Sequence, residues 1–327
     1  MKRLLNNSRV LVTGGAGFIG SNLVESMLAA GNDVVCLDNF STGSRENLKQ
    51  FISNDKFSLI EGDIRNYGDC EKAVKNIDFV FHQAALGSVP RSIKDPISAT
   101  DVNIGGFVKM LFASREARVK RFIYAASSST YGDHPDLPKV EEKIGKPLSP
   151  YGITKYVDEL FASNFASTYK IEVIGLRYFN VFGRRQDPNG AYAAIIPKFI
   201  LQLMRGEHPV INGDGTITRD FTHVDNVIKA NHLAALVVEK EALNQVYNIA
   251  CGESTSINKL FNLIRESLGH FEKGILKIEP LYGPEREGDI KHSLASIEKA
   301  RRLLGYEPVV GIEEGLNSTV RWIREKL

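Results

Sequence analysis

Arg9-Val10-Leu11-Val12-Thr13-Gly14-Gly15-Ala16-Gly17-Phe18-Ile19-Gly20 is the stretch that decides the architecture. Its first five residues form a β-branched apolar run that stops at glycine, the pattern of a buried strand. Ile19, Leu23, Met27 and Leu28 then recur at helical spacing, and Gly31 closes the helix. Between the two, Gly15, Gly17 and Gly20 satisfy G-x-G-x-x-G, while Gly14, Gly17 and Gly20 give a G-x-x-G-x-x-G variant. A tight turn that lets backbone approach a pyrophosphate has no space for Cβ atoms, and the helix N-terminus offers free N–H groups to phosphate. A glycine-rich turn without a ligand is the bland alternative, and the motif alone does not exclude it.

Outward from this turn the alternation continues. Apolar runs at 34–38, 57–60, 77–81, 121–125 and 172–176 read as buried strands, with helical stretches such as 103–115 and 151–169 between them. Strands alternating with helices predict an α/β fold of Rossmann type, a doubly wound parallel sheet, because parallel crossovers need helix-length connections. After about Arg177 the texture changes: 183–190 and Asn212-Gly213-Asp214-Gly215 are turn-rich, yet 245–249 again resembles a sheet strand. The expected organisation is a dinucleotide-binding domain over 1–180, to which the chain returns around 220–250, and a smaller α/β substrate lobe over 181–327.

Composition narrows the function classes. In 327 residues, 41 Lys and Arg against 39 Asp and Glu leave a net charge of +2, too little for a broad nucleic-acid or anionic-membrane footprint. The longest apolar runs are the six residues 191–196 and 233–238, far below the ~20 of a membrane span. No apolar region follows Met1-Lys2-Arg3 as in a signal peptide. Cys36, Cys70 and Cys251 are odd in number and widely spaced, which fits reduced thiols and a cytoplasmic location. The histidines show no H-x-x-x-H pair, and no metal is expected.

Candidate site residues gather at strand ends. Asp38 closes the second strand 18 residues beyond Gly20, near the spacing of an acid that binds an adenosine ribose. Its carboxylate would accept from a 2′-OH and repel a 2′-phosphate, favouring NAD over NADP; Arg45, close by in sequence, keeps the phosphate alternative open. Asp63-Ile64 and Gln83-Ala84-Ala85 end the third and fourth strands, at the edge where such sheets bind ligands. Tyr151 and Lys155 stand at i and i+4 on one helix face, where an ammonium and a cationic nicotinamide both favour phenolate. In a chain with 11 tyrosines this spacing alone means little. It gains weight from its place one helix after the strand that ends in Ser127-Ser128-Ser129-Thr130, a hydroxyl run able to bond a sugar hydroxyl or relay its proton. Glycine turn, serine run and Tyr–Lys pair together point to hydride transfer at a secondary alcohol.

These motifs, with Leu176-Arg177-Tyr178-Phe179-Asn180-Val181-Phe182-Gly183, resemble the extended short-chain dehydrogenase/reductases. Gly87-Ser88-Val89-Pro90-Arg91-Ser92, Tyr131-Gly132-Asp133-His134-Pro135 and Asn189-Gly190-Ala191-Tyr192-Ala193-Ala194 are similar to bacterial-type UDP-N-acetylglucosamine 4-epimerases. The resemblance runs from the N-terminus to about Ser293. It implies a tightly bound NAD, regenerated each cycle and held by Gly14, Gly17, Phe18, Ile19, Asp38, Asn39, Ser41, Thr42, Gly43, Asp63, Ile64, Gln83, Ala84, Ala85, Asn103, Tyr151, Lys155 and Tyr178. It implies catalysis by Tyr151 as base, tuned by Lys155, with Ser127. For the UDP-sugar it implies Gly87, Ser88, Ser127, Ser128, Ser129, Tyr151, Asn180, Gln186, Ala194, Asn212, Arg219, Arg286, Asp289 and Ser293. Ser293 matches a position whose size limits the sugar's C2 substituent.

The related 4,6-dehydratases carry an Asp-Glu pair directly after the catalytic threonine. Ser128 and Ser129 stand there instead, which argues against dehydration. The expected activity is NAD-dependent interconversion of UDP-N-acetylglucosamine and UDP-N-acetylgalactosamine, with UDP-glucose and UDP-galactose as further substrates, in a homodimer formed by the helices at 103–115 and 151–169. Epimerisation of UDP-hexuronic acids is the alternative, with Arg91 or Arg185 as the cation near the sugar C6. A dehydrogenase releasing NADH and a non-catalytic dinucleotide sensor are more distant rivals; a sensor has no use for the Tyr151–Lys155 pair.

Overall fold

Seven strands form one parallel sheet, and its order explains where a ligand goes. The computed structural model describes residues 4–188, 194–285 and 292–326. The chain runs β1 (Arg9–Thr13), α1 (Phe18–Ala29), β2 (Asp33–Asp38), β3 (Phe57–Glu61), α2 (Tyr67–Ala73), β4 (Phe79–His82), α3 (Val89–Lys94), α4 (Pro96–Thr100), α5 (Phe107–Glu116), β5 (Arg121–Ser127), α6 (Pro150–Tyr169) and β6 (Val173–Tyr178). It continues through β7 (Val181–Phe182), α7 (Ile195–Met204), β8 (Val210–Asn212), β9 (Thr218–Arg219), β10 (Thr222–His223), α8 (Val224–Leu236), β11 (Gln245–Ile249), β12 (Thr255–Ser256), α9 (Ile257–Gly269), β13 (Leu281–Gly283), α10 (Glu298–Leu304) and α11 (Ile312–Lys326).

The sheet order is β11-β6-β5-β4-β1-β2-β3, as expected for a Rossmann-type doubly wound sheet. The chain builds outward from β1 to β3, crosses back, and resumes with β4 on the other side of β1. Loops leave β1 and β4 in opposite directions, so a crevice opens at the carboxyl ends of these two strands. Val10 and Val12 pack on the face covered by α1 and α8, while Leu11 faces the layer of α5 and α6 with Val80, Phe107 and Phe122. This alternation is the two-residue period of a strand, and burial of both faces explains why polar residues are absent from its middle. Among the described residues no helix is long and apolar enough to cross a membrane.

The bounds of β2, β3, β4, β5 and β6 each shift by one or two residues from the sequence expectation, and the shifts at β4 and β5 bear on the site. The run at 77–81 becomes β4 at Phe79–His82, because pairing with β1 starts at Val10 and Phe79, while the Ile77 N–H donates to Val74 O in the preceding turn. The run at 121–125 extends to Ser127, because β6 pairs with it as far as Ser127 and Tyr178. That extension carries Ser127 to the carboxyl edge.

β11 joins the sheet beside β6, from Gln245 opposite Ile174 to Ile249 opposite Tyr178. A separate apolar cluster holds α7, α9 and α11 together through Phe199, Phe261, Ile264 and Leu316. Asp220, in the short link between β9 and β10, is fully buried and accepts from the N–H groups of Cys251 and Gly252, both at 3.0 Å, and Ala295 at 3.3 Å.

Candidate active site

A cleft of about 570 Å³ lies along the carboxyl edge. Of the residues expected from the sequence, Gly14, Gly17, Phe18, Ile19, Asp38, Asn39, Ser41, Thr42, Asp63, Ile64, Gln83, Ala84, Ala85, Gly87, Ser88, Ser127, Tyr151, Lys155, Tyr178, Asn180, Gln186 and Ala194 line it.

The glycine turn is built by close backbone approach. Gly14 has φ +66°, and a Cβ there would lie 2.7 Å from Ala84 N. A Cβ on Gly20 would lie 2.1 Å from Gly14 O, so α1 begins directly against the turn. Asp38 ends β2 with its carboxylate accepting from Ala16 N–H and Phe40 N–H, each at 2.8 Å. Burial pushes its carboxyl up, and these two N–H groups oppose that shift. Asn39 Nδ2 donates to Asp63 at 2.8 Å, and Arg65 beside Asp63 holds that carboxyl down at about 2. Arg45 is engaged by Glu61 at 2.6 Å and stacks over Phe40 at 4.0 Å.

The other wall carries the reactive groups. Ser149 caps α6 by accepting from Gly152 N–H at 3.1 Å, and Pro150 follows at the first helical position, where its missing N–H costs nothing. Tyr151 therefore sits in the first turn, near the positive end of the helix dipole, with its backbone N–H donated to Ser92 Oγ at 3.0 Å. No described residue engages its hydroxyl. Lys155, one turn later and 3% exposed, donates to Ala125 O at 3.1 Å and Asp158 Oδ2 at 3.2 Å. Ser127 Oγ accepts from Ser129 N–H at 3.1 Å, which leaves its own proton to donate. A second tyrosine, Tyr178, also lines the cleft, but its hydroxyl accepts from Asn231 at 3.0 Å and Gln83 at 3.3 Å. Burial pushes that phenol up to about 12, so it is a fixed wall and not a proton carrier. His82 lies below the floor, bonded to Thr13 at 2.9 Å and held neutral because burial, then the Lys155 charge, lowers it to about 3.

Several expected residues lie elsewhere. Gly43 packs on Ala16 behind the turn. Asn103 is buried in a π-helical turn, Asp101–Gly106, whose extra width turns its amide inward. There it bonds Leu86 N at 2.8 Å, Leu86 O at 3.2 Å and Thr154 Oγ1 at 3.1 Å, supporting the cleft wall from behind. Ser128 and Ser129 belong to the turn after β5 and do not line the cleft. Asn212 and Arg219 stand on β8 and β9, and Ser293 joins that group through its N–H to Thr218 O at 3.2 Å. Arg286 and Asp289 lie outside the described residues. The cleft adds Leu37, Gly62, Leu86, Val102, Val181 and Asp187, which sequence reading missed. Leu37 and Gly62 directly precede Asp38 and Asp63, so widening each strand-end candidate by one residue would have found them.

The residues fit a dinucleotide. A glycine-rich turn meets a helix N-terminus, a buried acid closes β2, and Gln83 Oε1 and Gln186 Oε1 on the cleft wall have no partner among the described residues. A nucleotide site at the switch point of a parallel sheet, faced by a Tyr–Lys pair on the helix that follows β5, defines an extended short-chain dehydrogenase/reductase. The chain belongs to the NAD dependent epimerase/dehydratase family, which residues 10–250 match. Its cofactor is NAD.

A putative UDP-glucose 4-epimerase of Methanocaldococcus jannaschii is 37% identical over 317 residues, 96% of this chain and 98% of that protein. The structure of a UDP-N-acetylglucosamine 4-epimerase from Methanobrevibacter ruminantium, in complex with UDP-N-acetylmuramic acid, superposes with a TM-score of 0.92 at 40% identity, covering 99% of this chain and 100% of that one. A dTDP-glucose 4,6-dehydratase of Streptomyces venezuelae with NAD bound gives 0.87 at 30% identity, with 97% of each chain covered.

Proposed function

We propose that this protein is a UDP-sugar 4-epimerase that interconverts UDP-N-acetylglucosamine and UDP-N-acetylgalactosamine. The observation that carries the reading is that Tyr151, Lys155 and Ser127 share one cleft with the glycine turn and with Asn180 and Gln186. Bound NAD supplies acceptance and return of a hydride at the sugar C4. Tyr151, as phenolate, takes the C4 hydroxyl proton, and the Lys155 ammonium with the α6 N-terminus stabilises the negative charge its oxygen carries before the transfer. Ser127 donates to the same sugar oxygen. For inversion the 4-keto sugar turns over and receives its proton back from Tyr151. Contacts to the distant diphosphate hold the intermediate meanwhile, with Arg219 in that role, which is remote binding energy used for chemistry at the sugar. Ser128 and Ser129 stand where the 4,6-dehydratases carry an acidic pair, which argues against expulsion of water.

A second reading, epimerisation of UDP-hexuronic acids, draws on Arg91, which lines the cleft with Ser88. Arg185, the other cation considered, instead binds Glu25 at 3.0 Å and is 9% exposed. The test is incubation of purified protein, without added NAD, with UDP-N-acetylglucosamine, UDP-glucose and UDP-glucuronic acid separately. C4 epimers should form fastest from the first. Conversion of only the uronic acid would replace the substrate, and conversion of none would remove the epimerase reading. We also propose a homodimer in which a second copy covers Phe112 on α5 and Ile153, Leu160 and Phe161 on α6, all exposed in the single chain. Sedimentation of a monomer at micromolar concentration would refute it.

A further inference from the structure

Asp158 lies three residues after Lys155 on α6, and its side chain is fully buried. One oxygen is 3.2 Å from Lys155 Nζ, and the other has no hydrogen-bond partner among the described residues. A half-satisfied carboxyl in a packed layer is costly, and a helix that buries Ala162 and Phe165 on the same side would gain from an apolar residue there.

The charges around it are few. On its own helix they are Lys155 and Glu159. Glu159 commits both oxygens to Arg177 of β6, at 2.8 and 2.7 Å. Tyr124 of β5 is pushed well up by burial and stays neutral, as does His82 of β4. Arg91 and Lys94 of α3, Asp101 of the turn before α5, Lys109, Arg115 and Glu116 of α5 and Arg121 of β5 make no bond to Asp158, and α4 carries no charged residue. Lys155 is therefore the cation that Asp158 answers to, and Lys155 is also the cation beside Tyr151 in the cleft.

We propose that Asp158 is a positioning residue for the epimerase reaction: its bond aims the Lys155 ammonium, and its charge offsets that ammonium at Tyr151, so that ionisation of Asp158 opposes ionisation of Tyr151. The proposal rests on the 4-epimerase reading given above. Burial pushes the Asp158 carboxyl up to about 7, which places its change of charge in the neutral range. Tyr151 and Asp158 are seven residues apart on one helix, about 10 Å along its axis. A unit charge at that distance, in an effective dielectric of about 20, moves a partner's titration by about one pH unit.

The test compares the parent with Asp158→Asn and Asp158→Ala as purified NAD-loaded proteins, with Tyr151→Phe as spectroscopic blank. Phenolate absorbance of Tyr151 is followed against pH, alongside kcat and KM for UDP-N-acetylglucosamine. In Asp158→Asn the phenolate midpoint should fall by about one pH unit, the transition should steepen, and the acid limb of kcat should shift with it while KM holds. Asp158→Ala should show the same midpoint shift but lose about tenfold in plateau kcat, because only Ala125 O is left to aim the ammonium. Should the Asn variant not fold, the Ala variant carries the same expectation for the midpoint. A midpoint unchanged in the folded variants overturns the proposal and leaves Asp158 a packing residue. A parent that epimerises no UDP-sugar sinks the functional reading instead, and the phenolate titration still decides the role of Asp158.

Discussion

Gly20→Ala tests whether the glycine turn holds the cofactor by close backbone approach. The added Cβ would stand 2.1 Å from Gly14 O and 2.8 Å from both Gly14 C and Gly15 Cα, all backbone atoms that no rotamer change can move. Ordinary contact begins near 3.4 Å, so α1 and the turn must part by more than 1 Å. Gly14 O also accepts from Gly17 N–H at 3.0 Å, and that bond lies in the path of the displacement. Overpacking of about 1–3 kcal/mol and a weakened turn hydrogen bond of about 1 kcal/mol together give ~2–4 kcal/mol. For a chain of this length that corresponds to a fall of about 3–6 °C in the unfolding midpoint. NAD must also pull the relaxed turn back into its binding form, so its affinity should drop by about tenfold or more. Gly87→Ala is the comparator, since a Cβ there meets nothing within 4 Å. It should fold with the parent's midpoint. The assay is a thermal melt together with the amount of NAD released on denaturing each purified protein. A Gly20→Ala protein with a full complement of NAD and the parent's midpoint would refute the reasoning.

Tyr151→Phe should lower kcat by at least ~100-fold while UDP-sugar binding, measured calorimetrically, stays within a few-fold, because the hydroxyl moves a proton and anchors no phosphate; near-parental kcat would take Tyr151 out of the mechanism. Ser293→Tyr should lower the ratio of kcat/KM for UDP-N-acetylglucosamine over UDP-glucose by at least ~10-fold, through steric filling beside the C2 substituent; an unchanged ratio would show that Ser293 does not gate the sugar. Burial pushes the Asp220 carboxyl up to about 7 despite its three N–H donors. The folded state thus binds this proton more tightly than the unfolded chain, and the contribution is complete below about pH 4 and lost as pH rises through 7. Asp220→Asn should flatten the loss of stability between about pH 4 and 7, seen in urea melts across that range; an unaltered slope would assign it to other groups.

Much of the fold is local, and locality made it legible. The strand at Arg9–Thr13, the turn at Gly14 and the helix that follows are specified by residues within a few positions of one another, and so is the capped start of α6 that presents Tyr151. The spacing of Tyr151 and Lys155 needs only helix geometry to put both on one face. Contacts between distant segments decided the rest. Only the strand order brings Asp38 and Ser127, 89 positions apart, to the walls of one cleft. Only the ladder with β6 extends β5 to Ser127, and only the π-helical turn sends Asn103 behind the wall instead of into the cleft. Arg45 and Arg185 read alike in sequence as cations available to a ligand, yet Glu61 and Glu25 engage them, and neither partner is near in sequence. Asp158 drew no notice as one acid among 39, because what sets it apart is burial against Lys155 without a second partner. Periodicity and turn chemistry act over a few residues and can be read along the chain, whereas the pairing of charges and the end of a ladder depend on which surfaces the packed sheet brings together.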